Sequence, residues 1–350
     1  MSAFPLSRRH ALSCFAGWLA ASPWLRAQRG PRTAGEPRGR TTPLDEFANV
    51  PEFEDMARRA LSENAFARIA DGDRGILERI TFRPRLLVSA LELDLSLNLL
   101  GQEMFAPILV GPASHQDEIH AGGERETAQG AAAAKATLVT AERSGAPLEE
   151  TLPLAPGAWR QVYPDGDFGA VAARLQEAAG AGCSAACLTV ANEPSGDSAA
   201  AYGWDDIELL ARSAAMPLVL KGIMSPADAT AAVDRGVAAV VVSTHGSGRA
   251  AGAAEPLAVL PAISDAVAGR IPVLADGGIR RGSDVLKALA LGATAALVCR
   301  PALWGLAAYG AAGVRKVVEM LQTELARDMA QVGTVTLADI TRKHVRIHSR

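Results

Sequence analysis

The sequence predicts a TIM (β/α)8 barrel carrying an N-terminal helical and strand extension, and three observations support this. Short apolar runs recur at intervals of about 25 to 35 residues, the length of one βα unit. Eight are present, at residues 108–111, 137–140, 161–163, 187–190, 218–221, 240–243, 273–275 and 297–300, with alanine-rich helical stretches between them. Polar residues gather at one end of these runs: Ser114, Gln161, Tyr163, Thr189, Lys221, Ser243, His245, Asp276 and Arg300 all lie at or just past a run's C-terminal end. In a barrel that end is the active-site face. A doubly wound sheet is the alternative that the same alternation permits.

The N-terminus differs in kind from the rest. Ser7-Arg8-Arg9-His10-Ala11-Leu12 precedes a modestly apolar stretch at 13–25, and residues 1–27 read as a twin-arginine signal peptide. The stretch is broken by Pro23 and falls short of the about 20 apolar residues of a permanent span. A basic tail or a displaced start codon is the alternative. The twin-arginine route exports proteins already folded, typically because a cofactor is loaded first, so a periplasmic location and a cofactor are expected. Residues 28–43 are rich in Arg, Gly and Pro and read as a solvated tether, with the folded domain at 44–350.

Residues 45–69 alternate at helical spacing and predict one or two short helices. Residues 91–99 alternate with period two and predict a strand with one wet face, outside the parallel barrel. Ser225-Pro226-Ala-Asp228 combines an N-cap, a first-turn proline and an acidic third position. The alanines at 131–134 read as helix packing.

The stretch Pro272 to Gly292 organises the chain. A buried strand ends at Asp276, Gly277 and Gly278 turn, and Gly282-Ser283 can cap a helix through Leu291. The two glycines remove Cβ where backbone N–H groups would meet an anion, and Arg280 and Arg281 supply charge for a phosphate.

Composition excludes several classes of function. The 350 residues are 49% hydrophobic, 21% charged and 5% aromatic with a net charge of −3, so nucleic acid is not an expected partner. Cys14 lies in the signal, which leaves Cys183, Cys187 and Cys299. An odd count argues against a disulfide framework, and Cys183 and Cys187 without a histidine cluster argue against a metal site. They read as buried small hydrophobes. Taken singly, Lys221 is also compatible with a snorkelling lysine, His245 with a satisfied loop histidine and Gln161 with a loop cap.

The motifs Phe82-Arg-Pro-Arg85, Gln161-Val-Tyr163, Leu188-Thr-Val190, Leu220-Lys-Gly222, Val242-Ser-Thr-His-Gly246 and Asp276-Gly-Gly-Ile-Arg-Arg-Gly282 occur in order, followed by Arg300-Pro301. From about Phe66 to near His344 the sequence thereby resembles the FMN-dependent α-hydroxy-acid oxidase and dehydrogenase family, which includes glycolate and lactate oxidases. The resemblance implies FMN as cofactor. Pro112, Ala113 and Ser114 would face the flavin, with Gln161, Thr189 and Ser243 near its polar edge and Lys221 beside the N1–C2=O locus. Asp276, Gly277, Gly278, Arg280 and Arg300 would hold ribityl and phosphate, and Cys299 replaces the glycine usual before that arginine.

The implied substrate half is less intact. His245 stands where the family has its base, but Ala191 takes the place of the aspartate that orients it. The two carboxylate-gripping arginines fall on Ser198 and Gly248, with Arg249 one residue away. Tyr163, Lys221 and His245 remain as catalytic candidates. Arg68 and Arg143 replace family aromatics of the substrate pocket, the expectation being that they relocate the anion-binding point. Between Gly196 and Trp204 the chain is too short for the family's long mobile segment.

The expected activity is FMN-dependent oxidation of a 2-hydroxy acid or related alcohol, with His245 as base, Tyr163 polarising the substrate oxygen and Lys221 stabilising reduced flavin. Oxygen, quinone and a soluble cytochrome are equally allowed as acceptor, and homo-oligomerisation is an expectation of the resemblance. A repurposed flavin-binding module, or another FMN-barrel chemistry such as isopentenyl diphosphate isomerisation, is the alternative.

Overall fold

The computed structural model describes residues 41–70, 74–88, 91–190, 202–245 and 254–348. The expected signal peptide, most of the tether, and Ala191, Ser198, Gly248 and Arg249 lie outside the described residues. Leu44–Arg350 forms one compact unit.

Strands are numbered in chain order. β1 (Ile80–Phe82), β2 (Leu97–Leu99) and β3 (Gln102–Met104) precede the barrel strands β4 (Ile108–Val110), β5 (Thr137–Thr140), β6 (Trp159–Val162), β7 (Ala186–Thr189), β8 (Leu218–Ile223), β9 (Ala239–Val242), β10 (Val273–Asp276) and β11 (Ala295–Val298); β12 (Val345–Ile347) follows them. The eight strands β4 to β11 close into a parallel barrel, β11 pairing back to β4. This is the expected TIM barrel, with all eight runs found as strands.

Two registers differ from expectation. β6 begins two residues earlier, at Trp159, and β11 runs over Ala295–Val298 rather than 297–300, so that Arg300 opens the last helix, Arg300–Val332, which is kinked at Tyr309 and Gly310. Alanines 295 and 296 carry little strand signal of their own, and burial between β10 and β4 decides the matter. The stretch 91–99 is a strand only over Leu97–Leu99, paired with β3 as a hairpin. Leu91 is 78% exposed, and Asp94 makes only an isolated bridge to Thr336, so the alternation at 91–96 has no neighbouring strand to pair with. The helix after the glycine turn begins at Gly282, not at a Ser283 cap. A Cβ at 282 would come within 2.3 Å of the Leu325 backbone nitrogen, so glycine is dictated there by the close approach of the last helix. The capping acceptor is Asp284, whose Oδ2 takes the N–H groups of Arg280 and Arg281 at 2.9 and 3.0 Å. Ser225 caps Pro226–Asp234 as expected, accepting from the Asp228 N–H at 3.1 Å.

Period-two alternation divides each barrel strand between two cores. Ile108, Leu138, Leu188, Leu220, Val240 and Ala275 face outward onto the helices. Leu109, Val139, Trp159, Cys187, Val219, Val241, Leu274 and Leu297 face inward, and Leu99 and Met104 of the hairpin join them and close the barrel's N-terminal end. Residues 45–69 of the extension form two helices, Glu52–Ala60 and Glu63–Ile69, and the first packs on the C-terminal helix through Phe53, whose ring meets Tyr309 edge-on at 6.0 Å. Among the described residues, no helix is long and apolar enough to cross a membrane.

Candidate active site

The interior ladder fixes the site. Two residues past each inward apolar side chain, at the C-terminal rim, stand Gly111 after Leu109, Ala141 after Val139, Gln161 after Trp159, Thr189 after Cys187, Lys221 after Val219, Ser243 after Val241, Asp276 after Leu274 and Cys299 after Leu297. A further step of two brings in Tyr163 and His245. The same alternation that fills the floor with hydrocarbon therefore aims a ring of polar groups into the mouth.

Lys221 is 3% exposed, and the strand register shifts between Lys221 and Ile223, where Gly222 takes φ 115°. Its Nζ donates to Asp276 at 2.8 Å and to Ser243 Oγ at 3.1 Å. Ser243 in turn donates to Asp276 at 2.7 Å and accepts the His245 N–H at 2.9 Å. Burial works against both charges, but each offsets the other's loss of solvent: Asp276 is held below the usual carboxylate range by Lys221 and Ser243, and Lys221 is held above its ordinary value by Asp276. His245 sits in the left-handed region at φ 58°. Its Nε2 lies 2.9 Å from Tyr163 Oη and its Nδ1 3.5 Å from Lys221 Nζ. The second distance is long for a made hydrogen bond, so Tyr163 is the closer partner of the imidazole.

Two chambers open off this array. The first, about 320 Å³, is lined by Lys221, Ser243, His245, Asp276, the Gly277–Gly278 turn, Arg280, Cys299 and Arg300, with Ile76, Leu77, Leu257 and Leu297 as apolar wall. Gly277 and Gly278 have φ of 113° and 74°, which L-residues with side chains rarely adopt. Arg280 is buried with its guanidinium 4.9 Å over the Trp304 ring and Nη1 donating to the Ile279 carbonyl. Arg281 does not line the chamber; its Nε bonds Glu324 at 2.9 Å, which corrects the expectation that both arginines serve a phosphate. The second chamber, about 260 Å³, shares Pro112, His245, Cys299 and Arg300 with the first and adds Ala113, Ser114, Gln161, Tyr163, Arg68 and His115, with Ile69, Ile119 and Leu303 as apolar lining. Thr189 stands behind Gln161, accepting from its Nε2 at 3.0 Å. Burial pushes the Cys299 thiol up to about 11, so it stays protonated, and it donates to the Pro112 carbonyl at 3.5 Å. Cys183 and Cys187 are buried, their thiols pushed up to about 11 and about 12, as inert small hydrophobes would be.

The relocated arginines are both already engaged. Arg68 reaches the rim of the second chamber but is ion-paired to Glu118, and Arg143 pairs with Asp165 at 2.6 Å while lying 4.5 Å over the Tyr163 ring. Several lining residues escaped sequence reasoning: Arg74, Glu255, His115, Glu118 and the supporting Glu142. Arg74 binds Asp284 at 2.6 Å, and Glu255 accepts the Ile76 N–H at 3.0 Å. Their partners lie 210 and 179 residues away, and no local pattern announces them.

The profile of the FMN-dependent dehydrogenase family matches residues 65–197 and 191–347. The chain belongs to that family. It is 37% identical to an L-lactate oxidase of Nostoc sp. over 357 residues, covering 85% of this chain and 98% of the relative. It is 35% identical to a peroxisomal (S)-2-hydroxyacid oxidase of Arabidopsis thaliana over 353 residues, covering 87% and 97%. In structure it resembles mandelate oxidase, with a TM-score of 0.80 at 30% identity over 86% of this chain and 98% of the other, and mandelate oxidase with (S)-2-phenylpropionate, with a TM-score of 0.79 at 31% identity over the same shares. In the lactate oxidase match, 357 aligned positions draw on only 85% of the 350 residues, so this member of the FMN-dependent dehydrogenase family is internally shorter than its relative.

FMN is the cofactor of the family and of this chain, and the residues present fit it. The lining of the first chamber combines a buried ammonium, a side-chain-free turn, the Arg280 and Arg300 guanidinium groups and a hydrocarbon wall. Backbone N–H groups of Gly277 and Gly278 with Arg280 and Arg300 would hold the phosphate; Lys221, Ser243 and Gln161 would serve the polar edge of the ring. Arg300 adds the positive end of its helix, which it opens. As a member of this family, the protein is an FMN-dependent oxidoreductase acting on the CH–OH group of 2-hydroxy acids.

Proposed function

We propose that this protein oxidises 2-hydroxy acids bearing an apolar side chain, with the Tyr163–His245 pair receiving the hydroxyl proton and dioxygen as the electron acceptor. The observation that carries the reading is the 2.9 Å contact between Tyr163 Oη and His245 Nε2 at the junction of the two chambers. Bound FMN would supply the acceptor for the hydride that leaves the carbinol carbon. In the base-competent tautomer Tyr163 donates to Nε2 and turns its oxygen lone pairs to the cavity. A substrate hydroxyl donates to that oxygen and leaves its proton there as the phenol passes its own proton to Nε2, so that Tyr163 ends neutral and His245 protonated. The imidazolium so formed is within the field of Asp276. The side chain of the substrate fits the Ile69, Ile119 and Leu303 lining of the second chamber.

The relatives named lactate, 2-hydroxyacid and mandelate oxidases support both the substrate class and the choice of oxygen. Export by the twin-arginine route is proposed from Arg8-Arg9 and is tested by fractionating cells that carry Arg8→Lys with Arg9→Lys. The activity is tested by anaerobic titration of the FMN-loaded protein with a panel of 2-hydroxy acids. Bleaching of the flavin bands in the wild type, slowed by about 10⁴-fold in His245→Ala, is expected. A holoprotein reducible by dithionite yet inert to every hydroxy acid overturns the proposal.

A further inference from the structure

We infer that Arg143 is a positioning residue for the proton-handling pair: anchored by Asp165, its guanidinium fixes the ring of Tyr163 and, through it, the orientation of His245. The inference rests on the function proposed above. It accounts for how this chain orients its histidine when the position that resembles the family's orienting aspartate is Ala191, a residue with no polar side chain.

Four residues bear on Tyr163. Its hydroxyl meets His245 Nε2 at 2.9 Å, and the two rings stand edge to face with centroids 5.4 Å apart. The flat guanidinium of Arg143 lies 4.5 Å from the Tyr163 centroid, within cation–π range, while its Nη2 is tied to Asp165 at 2.6 Å. The Tyr163 N–H donates to Glu142 at 2.7 Å, and Glu142 is itself ion-paired to Arg174 at 3.0 Å. Arg174 also donates to the carbonyls of Tyr163 and Asp165, which ties backbone and clamp together. The backbone of Tyr163 is thus set by Glu142 and Arg174, whereas the ring's rotation is set by Arg143 on its face and His245 at its tip. Removing Arg143 leaves the main chain in place and frees χ1 and χ2 of the tyrosine. Arginine suits this task better than lysine because a planar, weakly hydrated cation stacks while its edge still bonds a carboxylate.

The alternative role, a direct grip on the substrate's carboxylate, requires Arg143 to release Asp165. The two roles make opposite predictions in a double-mutant cycle of Arg143→Leu and Tyr163→Phe. With FMN bound, Arg143→Leu is expected to slow flavin reduction about 3- to 10-fold, the equivalent of one cation–π contact, with half-saturation unchanged. In the Tyr163→Phe background, which lacks the hydroxyl that reaches His245, the same change is expected to have almost no effect. A rise in half-saturation that persists in that background would show a substrate grip and overturns the inference.

A second readout needs neither cofactor nor turnover. In the apoprotein, the side-chain ¹⁵N resonances of His245, assigned by their loss in His245→Ala, should report one dominant tautomer in the wild type and a mixture in both Arg143→Leu and Arg143→Gln. Unchanged His245 resonances in the two variants overturn the inference as well. If the wild type oxidises no hydroxy acid, the proposed function fails, while the tautomer measurement still decides the role of Arg143.

Discussion

The two walls of the mouth are held by different kinds of charge. On the β8 to β11 side, Lys221, Asp276, Asp284 and Glu324 are buried or nearly so, and their partners are fixed from several directions. On the other side, Arg143–Asp165, after β5 and β6, and Arg68–Glu118, between the N-terminal extension and the segment after β4, are half-exposed pairs at the rim. The first arrangement is expensive to disturb and belongs to a group that binds the same way each time. The second is screened by water and contributes little to folding, so it can be exchanged without loss of the barrel. A protein that retains its cofactor wall while its substrate wall diverges is what this division permits.

The division is tested most severely at its centre. Asp276→Asn leaves the Lys221 ammonium buried without its countercharge and should destabilise the apoprotein by about 3 to 5 kcal/mol in a denaturant melt. The pair's pH dependence has a defined sign. Asp276 is shifted down, so its contribution is present above the unfolded carboxylate value and is lost as pH falls through the lower folded value. Lys221 is shifted up, so its contribution is complete below the unfolded lysine value and is lost only as pH rises through the higher folded value. Asp276→Asn should therefore flatten the acid limb of the stability profile.

Asp284→Asn is the next largest change. It weakens the contact to Arg74 and the acceptor for two N–H groups of the phosphate turn, so a loss of about 2 kcal/mol in stability and a roughly tenfold weaker FMN Kd by fluorescence titration are expected. Asp328 sharpens the comparison from the opposite direction. Burial, with Glu324 beside it, pushes its carboxyl up to about 6. A raised acid costs stability once ionised, so stability declines as pH rises from the unfolded value towards 6. Asp328→Asn should then raise stability at pH 7 by on the order of 1 kcal/mol, after allowance for its partial exposure, and leave it unchanged at pH 4. At the rim, Arg68→Ala should move stability by less than about 0.5 kcal/mol, and a larger loss would contradict the contrast between the walls.

The same contrast governs what could be read from the sequence. Gln161, Lys221, Ser243 and Asp276 were legible because a barrel strand has period two, and an inward apolar residue places the next inward residue at the mouth. The phosphate turn was legible because Gly277 and Gly278 stand between a strand and a helix, where the backbone needs positive φ at both positions and an anion needs Cβ out of its way. The β11 register was not, since Ala295 and Ala296 have too little side chain to declare a strand. Neither was the fate of Arg281, whose partner Glu324 lies 43 residues further along a helix packed against the turn. Arg68 lines the second chamber and Arg143 lies over the Tyr163 ring, but their carboxylate partners were invisible in the sequence: Glu118 lies 50 residues from Arg68, and Asp165 lies 22 from Arg143. Charge at a site can be read locally, whereas whether that charge is already neutralised depends on the tertiary fold.

The hairpin of Leu99 and Met104 packs with Trp159 into one buried cluster, so that among the described residues the floor of the barrel is filled with hydrocarbon. Substrate and oxidised product would share the chamber at His245, above that packed floor. Product should accordingly behave as a competitor of substrate in steady-state traffic, and widening the floor, as in Trp159→Ala, should loosen the structure without relieving that competition.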